Sequence, residues 1–488
     1  MMPNGRFLPR HDTVVAAAAV LGFTALCAAS ILYSADQPLL VLVPLGLIGA
    51  VLGAWVVAMA FAGSPLAIMA YFAVLTFVND GQFRVRGAGE TDADWQSALK
   101  FALWIGAGVI GAGHVRLAKQ LLGRPEAVLW IGYILMALVS SLYSPLPGYS
   151  FGCALALLCF FGFACALLTR LSESRALWTF AVGMVAFHIG SWVAFYALPE
   201  LGSAPTWTLS GTLMRMCGLA GQATNLGYLD AQFIGAVFLL WWAGRCSLLM
   251  AVLLMGFGAV TLVASDCRTM MLAVVLGIAV VVASRSAWLM ALTILGSLLL
   301  AVLFMLFPGI LSVLGSRFSR SGDAAEMTTL TGRMEIWDFA WSQINESPII
   351  GWGYNSSKVV LGQHLGFENG LVVDNAHNLF LQSLLSVGAV GTVLLIAILL
   401  LLIVRLFLRP APILAFYTVI VCVGAVSDTV AVGTTPTLLT LQLLMISIWP
   451  VAVKARARPG ASPPPSPRII PGAAWPERPA LARTSAAG

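Results

Sequence analysis

The chain has 488 residues, of which 60% are hydrophobic and 9% are charged, and its formal net charge at pH 7 is +6. Soluble globular proteins carry about 25% charged residues, so this composition and a mean hydropathy of +0.93 exclude an ordinary soluble fold. The basic residues are scattered rather than gathered in a patch, which excludes a nucleic-acid partner. We therefore predict an all-α polytopic membrane protein.

Apolar runs of about 17–25 residues recur along the chain, as membrane-spanning helices require. About 12–14 of them qualify as spans, and the first is interpreted as a retained helix rather than a cleaved signal peptide. The predicted spans are 13–33, 39–62, 65–78, 98–113, 127–143, 151–168, 177–198, 226–243, 247–264, 269–283, 288–307, 379–403, 411–427 and 437–453.

The positions of lysine and arginine between the spans predict the orientation of the protein. With both termini in the cytoplasm, alternate connectors carry the basic residues, from Arg116 and Arg170 to Arg405. The opposite connectors, which include Pro308–Asn378, then face outward. We predict an N-terminal bundle at 1–307 with about eleven spans, a large outward loop at 308–378, C-terminal helices at 379–453 and a disordered tail at 454–488, which is rich in proline, alanine and arginine.

Eight cysteines are spread through the chain without a CxxC pair. No Asp, Glu or His cluster has metal-ligand spacing either, so we expect neither a metal site nor a cofactor. A disulfide between Cys217 and Cys267 is one hypothesis, because each lies within two residues of an arginine on the outward side.

The large loop contains a predicted amphipathic helix that begins near Thr331 or Gly332 and ends before Pro348. Trp337, Ala340, Trp341 and Ile344 form one face, which is suited to the membrane interface or to capping the bundle. Arg333 lies at the head of this face, where it either binds substrate or anchors the helix to lipid headgroups.

Where the loop returns to the membrane, Asp374 or Asn375 is the predicted cap of the next helix, which places His377 in its first turn. The positive end of a helix favours a neutral imidazole, and a neutral imidazole can act as a general base. The alternative is a histidine that only packs at the interface.

Two further arginines face outward. Arg268 lies at the end of a span, where a charge marks a functional site by default, and Arg215 lies in a glycine-bearing turn that enters the next span. Guanidinium groups match the oxygens of a lipid diphosphate in bidentate fashion. A purely structural pair between Arg268 and Asp266 is the alternative.

Four segments of the chain resemble the O-antigen ligase and polymerase superfamily. They are RMCGLAGQATNLGY, SDCRTMMLAVVLG, TGRMEIWDFAWSQINESPIIGWGYN and AHNLFLQSLLSVGAVG, which together extend from about Arg215 to Gly391. The resemblance implies a GT-C-like fold and a metal-independent glycosyltransferase in the bacterial inner membrane. Its donor would be glycan on undecaprenyl diphosphate, handled at the periplasmic face.

The resemblance also implies roles for individual residues. Arg215 and Arg268 would hold the diphosphate, His377 would activate the acceptor hydroxyl or orient the sugar, and Arg333 would contact donor or glycan. We further expect Asn225, Asn378 and Trp337 to contact substrate.

The acceptor distinguishes two activities that the sequence leaves open. An exopolysaccharide or O-antigen polymerase would use a second lipid-linked glycan, whereas an O-antigen ligase would use lipid A-core. Membrane lipids and a chain-length regulator are further expected partners. A transporter or flippase without catalysis is the main different class, but the charges gather at one face and no internal repeat is visible. A structural scaffold is a third class.

Overall fold

The computed structural model describes residues 42–84, 94–114, 125–208, 211–284, 333–362, 375–408, 411–429 and 432–456, and the isolated positions 116, 286, 288–289, 292, 296 and 373. The predicted span 13–33, nearly all of 288–307, and the predicted caps Thr331, Gly332 and Asp374 lie outside these residues. So does the tail from residue 457 onward.

The secondary structure of the described residues is almost entirely helical. The helices are α1 (Leu42–Phe61), α2 (Pro65–Val78), α3 (Trp95–Ala112), α4 (Pro125–Ser140), α5 (Pro147–Arg170), α6 (Glu173–Ala197), α7 (Pro199–Gly202), α8 (Ala223–Trp242), α9 (Leu248–Ala264), α10 (Arg268–Ala283), α11 (Arg333–Glu346), α12 (Ser357–Val360), α13 (Leu379–Leu408), α14 (Pro412–Ser427) and α15 (Leu438–Arg456).

Twelve of the fourteen predicted spans correspond to these helices, most of them to within four residues at each end. Four helices, α5, α6, α8 and α13, are long and apolar enough to cross a membrane, and most of the others are apolar but shorter. Helices α8 and α5 lie at the centre of the bundle, because 89% and 72% of their apolar windows are buried. The prediction of an all-α polytopic membrane protein is confirmed.

Alternate connectors meet at one end of the bundle, which we call the loop end. It comprises residues 79–84, 141–146, 198–208, 211–222, 265–267, 347–362, 375–378, 428–429 and 432–437. Backbone N–H of Gln82 donates to the carbonyl of Leu219 at 2.6 Å, and the Asn79 amide donates to Pro436 O at 3.1 Å. At the opposite end, Arg170 Nε donates to His114 Nε2 at 3.0 Å.

A β-hairpin lies at the loop end where the sequence predicted an irregular connector. Strands β1 (Ser203–Thr208) and β2 (Gly211–Met216) pair antiparallel, with Ala204 opposite Arg215. Threonine and tryptophan favour extended backbone. Each strand is six residues long, which is too short for a clear alternating pattern, so the prediction missed them.

Helix α13 is broken at Gly388, whose backbone has φ +63° and ψ −167°. The turn that follows α11 lies against this break. Four backbone N–H groups bridge the two segments: Trp352 to Leu385 O at 2.7 Å, Gly353 to Ser386 O at 2.9 Å, Ala389 to Pro348 O at 2.8 Å, and Val390 to Ile349 O at 3.3 Å. Backbone groups that the break frees from the helix are thereby paired, as an apolar environment requires.

The break depends on glycine on both sides of the contact. A Cβ at Gly388 would lie 2.2 Å from Ile349 O, and a Cβ at Gly351 would lie 2.6 Å from Gly388 N. Both glycines also have positive φ, +63° and +72°. Glycine alone adopts this conformation without a steric penalty.

We predict that Gly388→Ala lowers the melting temperature of the detergent-purified protein, because it combines a clash with backbone strain of about 1–3 kcal/mol. Gly256→Ala in α9 is the matched control, since a Cβ there meets nothing within 4 Å. A thermal unfolding scan checks this. Equal melting temperatures for Gly388→Ala and the wild type would contradict the role of the break.

Candidate functional site

His377 lies directly before α13 and contacts a buried carboxylate from the end of α14. Its ring Nδ1 is 3.5 Å from Asp428 Oδ1, and the side chains are 28% and 5% exposed. The backbone of His377 has φ +46°, and its N–H donates to Asn375 Oδ1 at 2.9 Å. Because Nδ1 is buried against Asp428, the exposed part of the ring is the remainder, which includes Nε2.

Asp428 is held in its ionised form. Burial alone would raise the pKa of Asp428, but contact with His377, the N–H of Thr429 and the positive charge of Arg333 outweigh burial and lower it. The Thr429 N–H donates to Asp428 Oδ1 at 2.8 Å. An ionised carboxylate beside Nδ1 favours the tautomer that carries its proton on Nδ1 and leaves Nε2 as the basic atom.

Asn378, rather than Asp374 or Asn375, caps α13. Its Oδ1 accepts from the N–H groups of Phe380 and Leu381 at 3.0 and 3.1 Å, as an N-cap side chain does. The predicted cap was therefore wrong, and His377 precedes the helix instead of lying in its first turn. The Asn378 amide also donates to Val426 O at 3.3 Å, and its contact with substrate stays a prediction.

The two earlier arginines meet at Asp266. Arg215, on β2, is buried, and its guanidinium donates to Ser265 O at 2.9 and 2.5 Å and to Asp266 O at 3.0 Å. Arg268 begins α10, and its Nε donates to Asp266 Oδ1 at 3.1 Å while its side chain stays 40% exposed. The structural pair considered as an alternative is thus present. Arg268 nevertheless remains accessible, whereas Arg215 holds the turn before it.

The thiols of Cys217 and Cys267 are both free and buried. They face different backbone carbonyls, Leu201 O at 3.3 Å and Thr224 O at 3.9 Å, so the hypothesis of a disulfide was wrong. Burial raises the pKa of Cys267 to about 11, and the opposing charges of Arg215 and Asp428 both act on this thiol. Cys267 is therefore within electrostatic reach of both Arg215 and Asp428.

Helix α11 of the loop contacts the segment that carries His377. Trp337 Nε1 donates to Ala376 O at 2.9 Å, in the residue before His377. Ala340 and Ile344 are buried in a small apolar cluster with Val360, Leu361, Ala376 and Leu385. Trp341 is 53% exposed, so the predicted apolar face packs inward except at this residue. Arg333, the first residue of α11, is thereby brought to within electrostatic reach of Asp428.

A cavity of about 700 Å³ opens at the loop end beside this group. Many of its lining residues are polar, with seven amides, five hydroxyl groups from serine and threonine, three carboxylates and two lysines: Asn79, Gln82, Gln222, Asn225, Gln232, Asn355, Asn375, Ser97, Thr429, Thr434, Thr435, Thr437, Asp80, Asp94, Asp428, Lys100 and Lys358.

The cavity divides the predicted site residues into two groups. Asn225 lines the cavity, whereas Arg215, Arg268, Arg333, His377, Asn378 and Trp337 are outside its lining. Asp428 and Asn375 belong to the lining and also contact His377. The His377–Asp428 pair therefore borders the cavity, whereas the arginines are outside its lining.

Asp428 is the main residue that sequence reasoning missed. A signal was present, because an acid at the end of an apolar run marks a functional site by the same rule that identified Arg268. Gln232, inside a predicted span, gave a similar signal. Their partners lie far away in the sequence, which is why the pattern alone did not connect them.

Comparison with known protein families supports the resemblance. Residues 250–396 match the family model Wzy_C, described as O-antigen ligase, and this region includes Arg268, Arg333, Trp337, His377 and Asn378. A comparison with curated proteins finds no match. The matched family indicates a glycosyltransferase or ligase-like membrane enzyme. Residues 250–396 thus resemble an O-antigen ligase domain, and this match supports the resemblance of the chain to the O-antigen ligase and polymerase superfamily.

Proposed function

We propose that the protein transfers a glycan from undecaprenyl diphosphate to an acceptor hydroxyl, as an exopolysaccharide or O-antigen polymerase. The observation that carries the proposal is the His377–Asp428 pair, which borders a polar cavity and whose carboxylate lies within electrostatic reach of Arg333. The family match over residues 250–396 supports the same class of reaction.

In the proposed reaction, the oxygen of the acceptor hydroxyl forms a bond to the anomeric carbon of the donor glycan. The bond from that carbon to the phosphate oxygen breaks, and its electron pair leaves with the lipid diphosphate. His377 Nε2 takes the proton of the hydroxyl, and Asp428 stabilises the imidazolium that forms.

Negative charge develops on the diphosphate as it leaves, and the nearby arginines would stabilise it. Arg268 is the best placed to contact phosphate oxygens, because its side chain is 40% exposed. Arg333 would approach from α11. Arg215 would contribute its positive charge and hold the 265–266 turn on which Arg268 depends.

The loop end would face the periplasm in this proposal, with both termini in the cytoplasm and the protein in the bacterial inner membrane. A second lipid-linked glycan would be the acceptor, and a chain-length regulator would be a partner. The alternative activity is a ligase that uses lipid A-core. The match over residues 250–396 is compatible with either activity.

We predict that His377→Ala lowers the rate of glycan transfer by about 10²- to 10⁴-fold, the usual contribution of a general base. Asp428→Asn keeps the shape of the side chain but removes its charge, and we expect at least about a tenfold fall in kcat with little change in KM. The measurement is transfer by the purified protein, with a second lipid-linked glycan or lipid A-core offered as acceptor.

His114→Ala is the control, because His114 is a histidine that lies at the opposite end of the bundle, where it accepts from Arg170. The acceptor that the wild type modifies decides between polymerase and ligase. Wild-type rates in His377→Ala protein that is correctly inserted would refute the catalytic proposal.

A second prediction concerns the donor. Arg268→Gln should raise the KM for the lipid diphosphate donor by about 10- to 100-fold, since a charged hydrogen bond contributes about 1.5–3 kcal/mol. Arg268→Lys should restore the donor KM only in part, because lysine keeps the positive charge but loses the bidentate geometry of arginine.

The exposed Arg175 of α6 provides a control, Arg175→Gln, that should leave the donor KM unchanged. An unchanged donor KM in Arg268→Gln would rule out direct contact between Arg268 and the diphosphate.

A further inference from the structure

Gln232 is a buried polar group on the cavity wall that the proposed reaction does not use. It lies on α8 in the same face as Asn225, Tyr228 and Leu229, and all four residues line the cavity. Its side chain is fully buried, and among the described residues neither Nε2 nor Oε1 has a hydrogen-bond partner. Buried amides in proteins are nearly always paired, so this wall is built for a polar ligand.

The depth of the cavity is also informative. Gln232 is seven residues beyond Asn225 on α8, which corresponds to about 10 Å along a helix. The cavity therefore extends from the connectors into the helical bundle. Its volume of about 700 Å³ falls within the range of about 300–1,000 Å³ that is typical of small-ligand sites.

Other lining residues present further amide and hydroxyl groups. Asn355 is 1% exposed and has φ +57°. Its Nδ2 donates to Thr435 Oγ1 at 3.2 Å and to Cys153 Sγ at 3.3 Å. Amides and hydroxyls both donate and accept hydrogen bonds, as the hydroxyl groups of a sugar do. Trp104 and Tyr149 add aromatic rings to the lining.

The charges of the lining argue against a diphosphate in this cavity. Its three carboxylates, Asp80, Asp94 and Asp428, outnumber its two lysines. The three arginines of the site lie outside the lining. A dianionic group is therefore favoured at the arginines, and an uncharged polar group is favoured in the cavity.

From these observations we infer that the cavity is a saccharide-binding subsite, which holds the sugar that carries the acceptor hydroxyl and uses Gln232 and Asn355 as hydrogen-bond partners. The assignment to the acceptor rests on the proposed function, because the acceptor hydroxyl must reach His377, and the lining meets His377 at Asp428 and Asn375.

Most of this subsite lies outside the region that matches the family. Of its lining residues, Asn355, Lys358 and Asn375 fall within 250–396, and the others come from the connector after α2, from α3 with Asp94 before it, from α5, from α8 with the connector before it, and from the segment after α14. The inferred selection of the acceptor sugar is therefore mainly a property of the surrounding bundle.

The test uses the free oligosaccharide obtained by mild acid from the lipid-linked glycan of the native cells. Its Kd for the full-length protein in detergent is measured by calorimetry. We expect Gln232→Leu to raise the Kd about 2- to 10-fold, the equivalent of losing a neutral hydrogen bond. Tyr149→Ala should also raise it, and because Tyr149 is 38% exposed this variant is less demanding for folding.

Gln442→Leu is the matched control. Gln442 is also a buried glutamine with an unpartnered Oε1 in the described structure, but it lies on α15 and lines a different, small pocket. We expect it to bind the oligosaccharide as the wild type does.

Measuring transfer and binding together separates the two proposals. If His377→Ala loses transfer but binds the oligosaccharide normally, the general base and the subsite are both supported. Normal transfer in His377→Ala, with weakened binding in Gln232→Leu and Tyr149→Ala, would refute the general base and keep the subsite. Wild-type Kd values in Gln232→Leu and Tyr149→Ala, or no binding by the wild type, would overturn the subsite.

Discussion

The site depends on one backbone contact, the docking of the 348–353 turn onto the break in α13 at Gly388. A helix that breaks inside an apolar bundle frees N–H and carbonyl groups, and each must find a partner. Here four hydrogen bonds from the turn and the helix supply those partners. The short first segment of α13, which begins at Leu379, two residues after His377, is fixed by this contact. Gln382 in that segment then bonds to Ala376, Ser357 and Gly433, so the loop, α12 and the turn before α15 converge on one side chain.

The second feature of the site is that the carboxylates of the cavity and the arginines lie in different regions. Carboxylates line the cavity and arginines lie beyond it, with the ionised Asp428 at the boundary between them. Attraction to Arg333 and contact with His377 compensate the burial of Asp428, since an unpaired buried charge would be strongly unfavourable. Asp266 serves the arginine side in a similar way, because it accepts from Arg215 through its carbonyl and from Arg268 through its carboxylate. The proposed chemistry needs both regions, one for a leaving anion and one for an uncharged sugar.

The sequence allowed a good prediction of the spans, because each apolar run reports on its own environment without reference to distant residues. The hairpin of β1 and β2 was missed because six residues give too little periodicity. The break at Gly388 was missed because its cause, the turn at Gly351, lies in another segment. The prediction missed Asp428 because the role of this residue is defined by its contact with His377. It assigned the wrong cap because Asn375 and Asn378 are equally good caps by residue type. Local pattern therefore predicted the frame, while the contacts among the candidate site residues required the fold.

The central claim is that the diphosphate and the acceptor sugar occupy separate places on either side of His377 and Asp428. An electron cryo-microscopy map of the protein with undecaprenyl-diphosphate-linked glycan and the freed oligosaccharide tests this directly. The account predicts phosphate density beside Arg268 and Arg333, saccharide density in the cavity against Gln232 and Asn355, and His377 Nε2 facing the gap between them. Phosphate density inside the cavity, or saccharide bound away from it, would contradict the account.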